Sequence, residues 1–401
     1  MNRRVTGIDR IICILVSFMI MSFYIFEMMS WGRYVLLGIV FAVTALYVVQ
    51  NHFRIKKSWG AFHNCLLAFV LFTFVSALWA WNPSAAISKG FSLLYILVCY
   101  YFLYSYYYER GNVELLVLAI MLSGYGVCVY AVGYYGVNGI VGMLTGRIRM
   151  YNDFANANAI GLAAALSCII QFYYFMKKQY RWLTVFSILA VLIIAITQSR
   201  KAIIMLVLGI TWLTMTVEGS GRKGALKKLL RFVIAIVVAV CIIYLLSRLE
   251  IFAGVVRRFE VYFESLRGER TEDIRSIYRR IGMQQFWKTP ILGIGIGNSL
   301  ELLENVGFRR TYLHCNYVEL LASGGIVGFV VYYSMYGILA VNFWKCRHIR
   351  SDMTRLCTII MLLLLVMDYA LVSYYAKKQY IYLMLLFLQA AMIQKEGRQL
   401  R

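Results

Sequence analysis

Proline occurs only twice in 401 residues, Asp and Glu together number only 18, and no polar stretch is long enough to form a separate soluble domain. With 62% of residues hydrophobic and a mean hydropathy of +0.71, these shortages exclude a soluble globular protein of this size. There is no Cys-x-x-Cys spacing, and no histidine stands at zinc-ligand distance from a cysteine. The nine cysteines fall mainly inside apolar stretches, where they read as small lipid- or core-facing residues and not as a metal site. Internal repeats and low-complexity segments are also missing.

What remains is a succession of apolar stretches at about 11–30, 34–50, 60–80, 90–108, 113–135, 157–176, 182–197, 201–217, 232–247, 317–343, 356–374 and 379–394. In lipid their backbone groups are satisfied only as helices. At roughly 20 residues per span, about 12 spans use about 240 residues, so the expected fold is an all-α polytopic membrane protein forming one integral domain over residues 1–401. Arg3, Arg4 and Arg10 precede the first apolar run, and no small-x-small cleavage site follows it, which predicts a retained first span.

The net charge of +23 suggests nucleic acid in a soluble protein, but here the basic residues lie between apolar stretches, where they orient helices. Placing both termini in the cytoplasm puts 22 Lys and Arg in cytoplasmic segments and eight in short outer ones: Arg33, Lys89, Arg147, Arg149, Arg200, Lys201, Lys377 and Lys378. That contrast supports the orientation and places His52, His63 and His348 on the cytoplasmic side.

The other eleven basic residues belong to a connection at 248–313 between the ninth and tenth spans, an expected extracytoplasmic loop. A loop of this length is usually functional. Ten of its eleven basic residues are arginine, a bias that topology does not require and that bidentate recognition of phosphate does. Val255, Val256, Phe259, Tyr262, Phe263 and Leu266 recur at helical spacing, which predicts a helix along the membrane surface. A second helix is predicted from about Thr271 to Lys288, with Ile274, Ile277, Tyr278 and Ile281 on one side and Glu272, Arg275 and Arg279 on the other, ended by Thr289 and Pro290.

Several of these residues are equipped for chemistry. Arg275 and Arg279 stand four apart on one helix face, a like-charge pairing that costs about 0.2–0.5 kcal/mol unless an anion or an acid sits between them. Glu272, Glu269 and Asp273 offer the plainer local compensation. Gly293, Gly295 and Gly297 match a nucleotide fingerprint only loosely and precede no strand–helix unit, so they read as a tight turn with amides free to face an anion, or simply as flexibility. His314, followed by Asn316 and Glu319, sits at the expected outer mouth of a span, where an imidazole serves as base or donor. Arg200 lies in a turn so tight that an arginine there needs a partner or water. Arg147, Arg149, Asp153, Asn156 and Asn158 crowd the segment before the sixth span, and Asn158 reads as a cap. Asp368 is the conspicuous acid of the eleventh span, suited to binding hydroxyls or pairing with an arginine.

In their order, these motifs resemble the O-antigen ligase and O-antigen polymerase superfamily of bacterial membrane glycosyltransferases. The family's arginine before an Asn-Pro-Asn-like helix start resembles Arg149 with Asn156-Ala157-Asn158, and its Ser-Arg between adjacent spans resembles Ser199-Arg200. Its arginine fifteen residues before a proline and Gly-x-Gly resembles Arg275, Pro290, Gly293 and Gly295. Its histidine eleven residues before G-[LI]-[IV]-G resembles His314 and Gly325-Ile326-Val327-Gly328. The chain departs from the pattern in having Cys315 where Asn usually follows the histidine, and Ser323 where an acidic residue is common.

The resemblance implies a GT-C-like helical fold in the bacterial cytoplasmic membrane, without metal or other cofactor, and with an extracytoplasmic site. The implied activity is inverting transfer of a glycan from an undecaprenyl-diphosphate donor to a sugar hydroxyl, polymerising O-antigen, capsule or exopolysaccharide units, with other assembly proteins as possible partners. Arg200 and Arg275 with His314 are the expected catalytic residues. Arg147, Arg149, Asn158, Arg279, Arg280, Asn316, Glu319 and Asp368 are expected to bind diphosphate or acceptor. Two alternatives stay open at this point: a ligase handing finished glycan to a lipid or protein, and a polysaccharide flippase or transporter.

Overall fold

A computed structural model describes residues 5–26, 32–50, 58–144, 150, 155–216, 260, 264, 267, 273–349 and 351–399. Among them every regular element is helical. The helices are α1 (Gly7–Ile25), α2 (Gly32–Gln50), α3 (Ala61–Val75, extended by a 3₁₀ turn at Ser76–Leu78), α4 (Pro83–Arg110), α5 (Val113–Leu144), α6 (Ala157–Met176), α7 (Thr184–Thr197), α8 (Arg200–Thr216), α9 (Ile274–Lys288), α10 (Ser299–Asn305), α11 (Asn316–Lys345), α12 (Asp352–Asp368) and α13 (Lys377–Gln399).

Local chemistry sets their ends. Thr6 and Asp9 form a reciprocal capping box at α1, with Thr6 N donating to Asp9 Oδ2 at 2.8 Å. Asn82 caps α4 ahead of Pro83, whose missing N–H falls where a helix has no use for it, and Gly111 closes that helix at a φ of 62°. The predicted end of the fifth stretch at 135 coincides with a break in α5 at Gly136.

The ninth stretch and the predicted surface helix at 255–266 lie outside the described residues, apart from Glu260 and Glu264; every other predicted stretch falls on a helix. Six described helices are long and apolar enough to cross a membrane: Gly7–Ile25, Ala61–Leu78, Pro83–Arg110, Val113–Met143, Ala157–Met176 and Asn316–Lys345. This supports a polytopic membrane protein, with six such spans where the sequence pattern counts about 12. Of the other predicted stretches, three fall on short helices, α7 with 14 residues and α8 and α12 with 17 each, and the ninth lies outside the described residues. Large apolar side chains such as Phe41 (77% exposed), Ile188 (64%) and Val330 (56%) point out of the helices, as lipid-facing side chains do.

The chain divides into two compact units, one of residues 44–113 with 271–401, the other of 4–43 with 114–270. In the first, α3 packs on α4 and α11, α13 packs on α4 and α12, and α9 lies against α11. In the second, α6 packs on both α7 and α8. Small residues bring these helices together: a methyl on Gly161 would lie 2.8 Å from Thr197 Oγ1 and 3.1 Å from Ala202 Cβ.

A break in α11 organises the first unit. Gly325 adopts φ 60°, ψ −165° inside the helix, which frees amides from their usual carbonyls. They are taken up by the segment after α9: Ile326 N donates to Pro290 O at 2.8 Å and Val327 N to Ile291 O at 3.2 Å. In return Ile294 N donates to Ala322 O at 3.1 Å. The same segment reaches the α3–α4 turn, where Trp81 N donates to Ile294 O, Trp79 Nε1 to Leu292 O and Ile296 N to Ser76 Oγ, each at 3.1 Å.

The glycine segment is therefore not a flexible link, and the Gly293 amide is not free to face an anion. The amides of Gly293, Ile294, Ile296 and Asn298 are all engaged by protein acceptors. Gly293 has φ 65°, and a methyl there would lie 2.5 Å from Ser323 C; one on Gly325 would lie 2.3 Å from Ile291 O. Gly293→Ala or Gly325→Ala should therefore cost about 1–3 kcal/mol for the left-handed backbone, with a further penalty of about 1–3 kcal/mol for overpacking. Both should lower the melting midpoint in detergent micelles, whereas Gly337→Ala, with nothing within 4 Å, should not.

Candidate functional site

The predicted helix at 271–288 is present as α9, with Asp273 accepting from Arg275 N at 3.3 Å and Thr289 as its C-cap; Glu272 lies outside the described residues. Its buried stripe differs from the predicted one. Tyr278, Gly282 and Gln285 face inward, Ile281 is partly covered, and Ile274 is 50% exposed. The reason is Gly282, where a methyl would lie 2.6 Å from both Leu313 and Val318. That close approach rotates the helix toward its small residue, and Tyr278, Leu313, Cys315 and Val318 then join one apolar cluster with Leu302 and Leu303 of α10.

This rotation leaves Arg275 and Arg279 half-buried on the flank of α9, with Arg280 exposed. The Arg279 guanidinium donates to Ser276 Oγ at 2.8 Å and lies 5.2 Å from the centre of the Tyr369 ring. Among the described residues, no side-chain hydrogen bond or ion pair holds the Arg275 guanidinium. Arg310 is accounted for differently, by ion pairs to Glu301 at 2.6 Å and Glu304 at 3.5 Å on the surface.

His314 stands between α10 and α11 with φ +59°, a left-handed conformation that is uncommon outside glycine. Its ring lies 4.2 Å from that of Tyr312 and runs nearly parallel to that of Tyr278 at 6.1 Å. Glu319, only 1% exposed, holds the preceding residue: Leu313 N donates to its Oε2 at 2.8 Å, and the Ser299 hydroxyl donates to its Oε1. Glu319 is thus a ligand of the protein's own backbone.

Asn316 and Asp368 form a separate buried knot. Asn316 Oδ1 accepts from Ser373 N at 2.9 Å and Tyr374 N at 3.1 Å, while its Nδ2 donates to Tyr333 Oη at 2.9 Å and to Asp368 Oδ2 at 3.3 Å. Asp368 also accepts from Ser373 Oγ at 2.6 Å and Tyr333 Oη at 3.0 Å. These bonds join α11 to the α12–α13 connection.

In the sequence Lys89 stands out only as a topological charge. In the structure its stem passes Gly297 and its ammonium lies 3.5 Å over the Tyr375 ring. No spacing along the chain links position 89 to Gly297 or Tyr375; the one available signal is a lysine at the edge of an apolar stretch, just after the Asn82-Pro83 helix start.

The structure thus brings together Arg275, Arg279, Arg280, His314, Asn316, Glu319 and Asp368 in the first unit. Arg200 and Asn158 belong to the second, and Arg147, Arg149 and Asp153 lie outside the described residues. In the second unit Gln198, at φ 50°, turns the chain so that Ser199 stands just before α8, its Oγ accepting from Ala202 N at 3.4 Å, and Arg200 opens the helix. The cap of α6 is Asn156, whose Oδ1 accepts from Asn158 N at 2.9 Å, so Asn158 is a first-turn residue and not the expected cap. A cavity of about 220 Å³ between Trp59, Tyr104, Asn342, Phe387 and Gln394 lies at the opposite end of the first unit and takes no part in this site.

The family model described as O-antigen ligase matches residues 185–333, and this supports the O-antigen ligase and polymerase superfamily. The matched stretch holds Ser199-Arg200, Arg275, Pro290, His314 and the Gly325–Gly328 break, and ends before Asp368. No curated protein and no solved structure matches the chain.

Replacing Asn316 by Ala would leave the buried amides of Ser373 and Tyr374 without acceptors, at about 1–3 kcal/mol each. Its melting midpoint in detergent should fall by several degrees. Arg280→Ala, at an exposed position, should leave the midpoint unchanged.

Proposed function

We propose, proceeding from a chain whose residues 185–333 belong to the O-antigen ligase and polymerase superfamily, that it transfers a glycan from an undecaprenyl-diphosphate donor to a sugar hydroxyl, extending a surface polysaccharide. The observation that carries this reading is the half-buried Arg275 guanidinium, which no side chain holds among the described residues, one turn from Arg279 and in the same unit as His314. A partly desolvated cation with no acid partner among the described residues is a site for an anion that arrives with the substrate.

The acceptor hydroxyl attacks the anomeric carbon, the bond from that carbon to the diphosphate oxygen breaks, and the diphosphate-linked lipid departs with the electron pair. Negative charge develops on the departing phosphates, where Arg275 and Arg279 stabilise it as preorganised donors. Each charged hydrogen bond contributes about 1.5–3 kcal/mol. His314 takes the proton of the attacking hydroxyl or orients it by a hydrogen bond, and a single displacement inverts the anomeric centre. The site faces the extracytoplasmic side in this reading.

Purified protein incubated with a lipid-diphosphate oligosaccharide, its product sized by gel, tests the proposal. Arg275→Ala should reduce product formation by roughly 10²–10³-fold at unchanged protein level. Arg275→Lys should recover only part of it, because an ammonium cannot form the two parallel bonds of a guanidinium. Near-normal product from Arg275→Ala overturns the anion role, and Arg200→Ala is scored separately for the role the resemblance implies. A long ladder of products distinguishes a polymerase from a ligase, which yields a single addition. For His314→Gln, a full rate across pH removes proton abstraction and leaves orientation.

A further inference from the structure

We infer that the junction between α9 and α11 is a membrane anchor: Trp287, Ile291 and Leu292, with Leu78, Trp79 and Trp81, seat it in the bilayer at the boundary between acyl chains and headgroups. The connection at 248–313, expected from the sequence as an extracytoplasmic loop, then returns to lipid at 287–292. Exposure along the chain marks the change. Arg280 and Gln284 are exposed on the middle of α9, whereas further on Trp287 is 73% exposed, Ile291 64% and Leu292 40%. Lys288, also exposed, stands at the crossover, where a long stem can lie along apolar surface while its ammonium reaches water. Large apolar side chains grouped on a membrane protein belong against lipid, and tryptophan concentrates at the interface.

Hydrogen bonds join these residues into one surface. Trp79 Nε1 donates to Leu292 O and Trp81 N to Ile294 O, both at 3.1 Å, and Val327 N donates to Ile291 O at 3.2 Å. Ile326 and Val327 open an exposed apolar face of α11 that continues through Val330, Ile338 and Val341. The anchor is thus continuous with the lipid-facing side of a span.

Two helices give the distance to the other face of the bilayer. Ala61–Leu78 is 18 residues long and lies between Trp59 and Trp79. From the junction, α11 runs over 327–344, the same number of residues, to the exposed Trp344 and Lys345. At 1.5 Å per residue each measures about 26 Å, close to a hydrocarbon thickness of about 30 Å. Their far ends are level as well, since Trp59 and Asn342 line one cavity. Trp59 and Trp344 therefore mark the second interface of the unit.

The anchor sets the height of the candidate site. Tyr278 faces His314, Gly282 meets Val318 and Pro290 O accepts from Ile326 N, three contacts with the same offset in residue number, so α9 and the start of α11 run side by side in one direction. With Pro290 at the boundary, Arg279 and Arg275 stand about three and four turns further out, on the water side. This placement holds whether or not the chain transfers a glycan.

The full chain in phosphatidylcholine vesicles tests the anchor by depth-dependent quenching. The emission of Trp287, taken as the difference between the parent and Trp287→Phe, should be quenched most by lipids brominated near the headgroup end of the acyl chain, less by lipids brominated near its terminal methyl, and little by aqueous acrylamide. Strong quenching by acrylamide with none by either bromolipid would overturn the anchor, and strongest quenching by the deep bromines would overturn its place at the boundary. In the same vesicles Ile291→Cys should react with a membrane-impermeant maleimide several-fold more slowly than Gln284→Cys, each measured above the parent's own labelling, because the reactive thiolate is disfavoured in apolar surroundings. The two should react equally after denaturation in detergent. Equal rates in the folded protein would put 287–292 in water and sink the proposal.

Discussion

A membrane helix broken in its interior must have its loose amides satisfied by other protein groups, because lipid offers nothing to hydrogen-bond. α11 is broken at Gly325, and the carbonyls of Pro290 and Ile291 are what satisfy it. Most of the candidate site depends on that repair. The repairing segment follows α9 directly, so fixing Pro290 against α11 also fixes the helix that carries Arg275 and Arg279. Its other side is bonded to Ser76, Trp79 and Trp81, which ties the same arginines to the α3–α4 turn. The arginine-bearing helix is thus built onto a rigid scaffold and does not hang from a loose loop, as stabilisation of a developing charge requires.

The acids of the site divide from its arginines. Glu319 and Asp368 are both about 1% exposed, and their oxygens are engaged by Ser299, Leu313, Asn316, Tyr333 and Ser373. None of these partners is an arginine. Had either carboxylate paired with Arg275, the guanidinium would be neutralised before any substrate arrived. The structure instead sets a tyrosine face under Arg279, an arrangement that holds charge in place without cancelling the cationic character of α9.

Helix existence, the stop at Thr289-Pro290 and the end of a stretch near Gly136 were legible from composition and spacing, because each is decided within a few residues of chain. Arg275 and His314 stand out in the sequence as candidates through residue type and order. Other features depend on contacts across the fold. The inward face of α9 was misread because Gly282, a residue with no hydrophobic side chain, sets the closest approach. The glycine turn was misread because what it meets, Ser323 and Gly325, lies on another helix. The surroundings of Lys89 were invisible because position 89 meets Gly297 and Tyr375 only once the unit has folded.

The same distinction explains why motifs so weak individually carry meaning in order. Pro290 with its Gly-x-Gly and the Gly325–Gly328 segment look independent along the chain, yet they are two halves of one junction, and neither half forms without the other. The spacing from His314 to Gly325 then becomes a length. About three turns of α11 separate them, roughly 15 Å at 1.5 Å per residue. The junction at Gly325 thereby fixes how far His314 stands from the foot of α9. Asn316, on that first turn, is bonded to the α12–α13 connection, and Glu319, one turn on, reaches back to Leu313, so the N-terminal end of α11 is held from both sides. Inserting or deleting a residue between 319 and 325 would rotate Glu319 by about 100° around the helix and release the backbone before His314, leaving every functional side chain present and the arrangement lost.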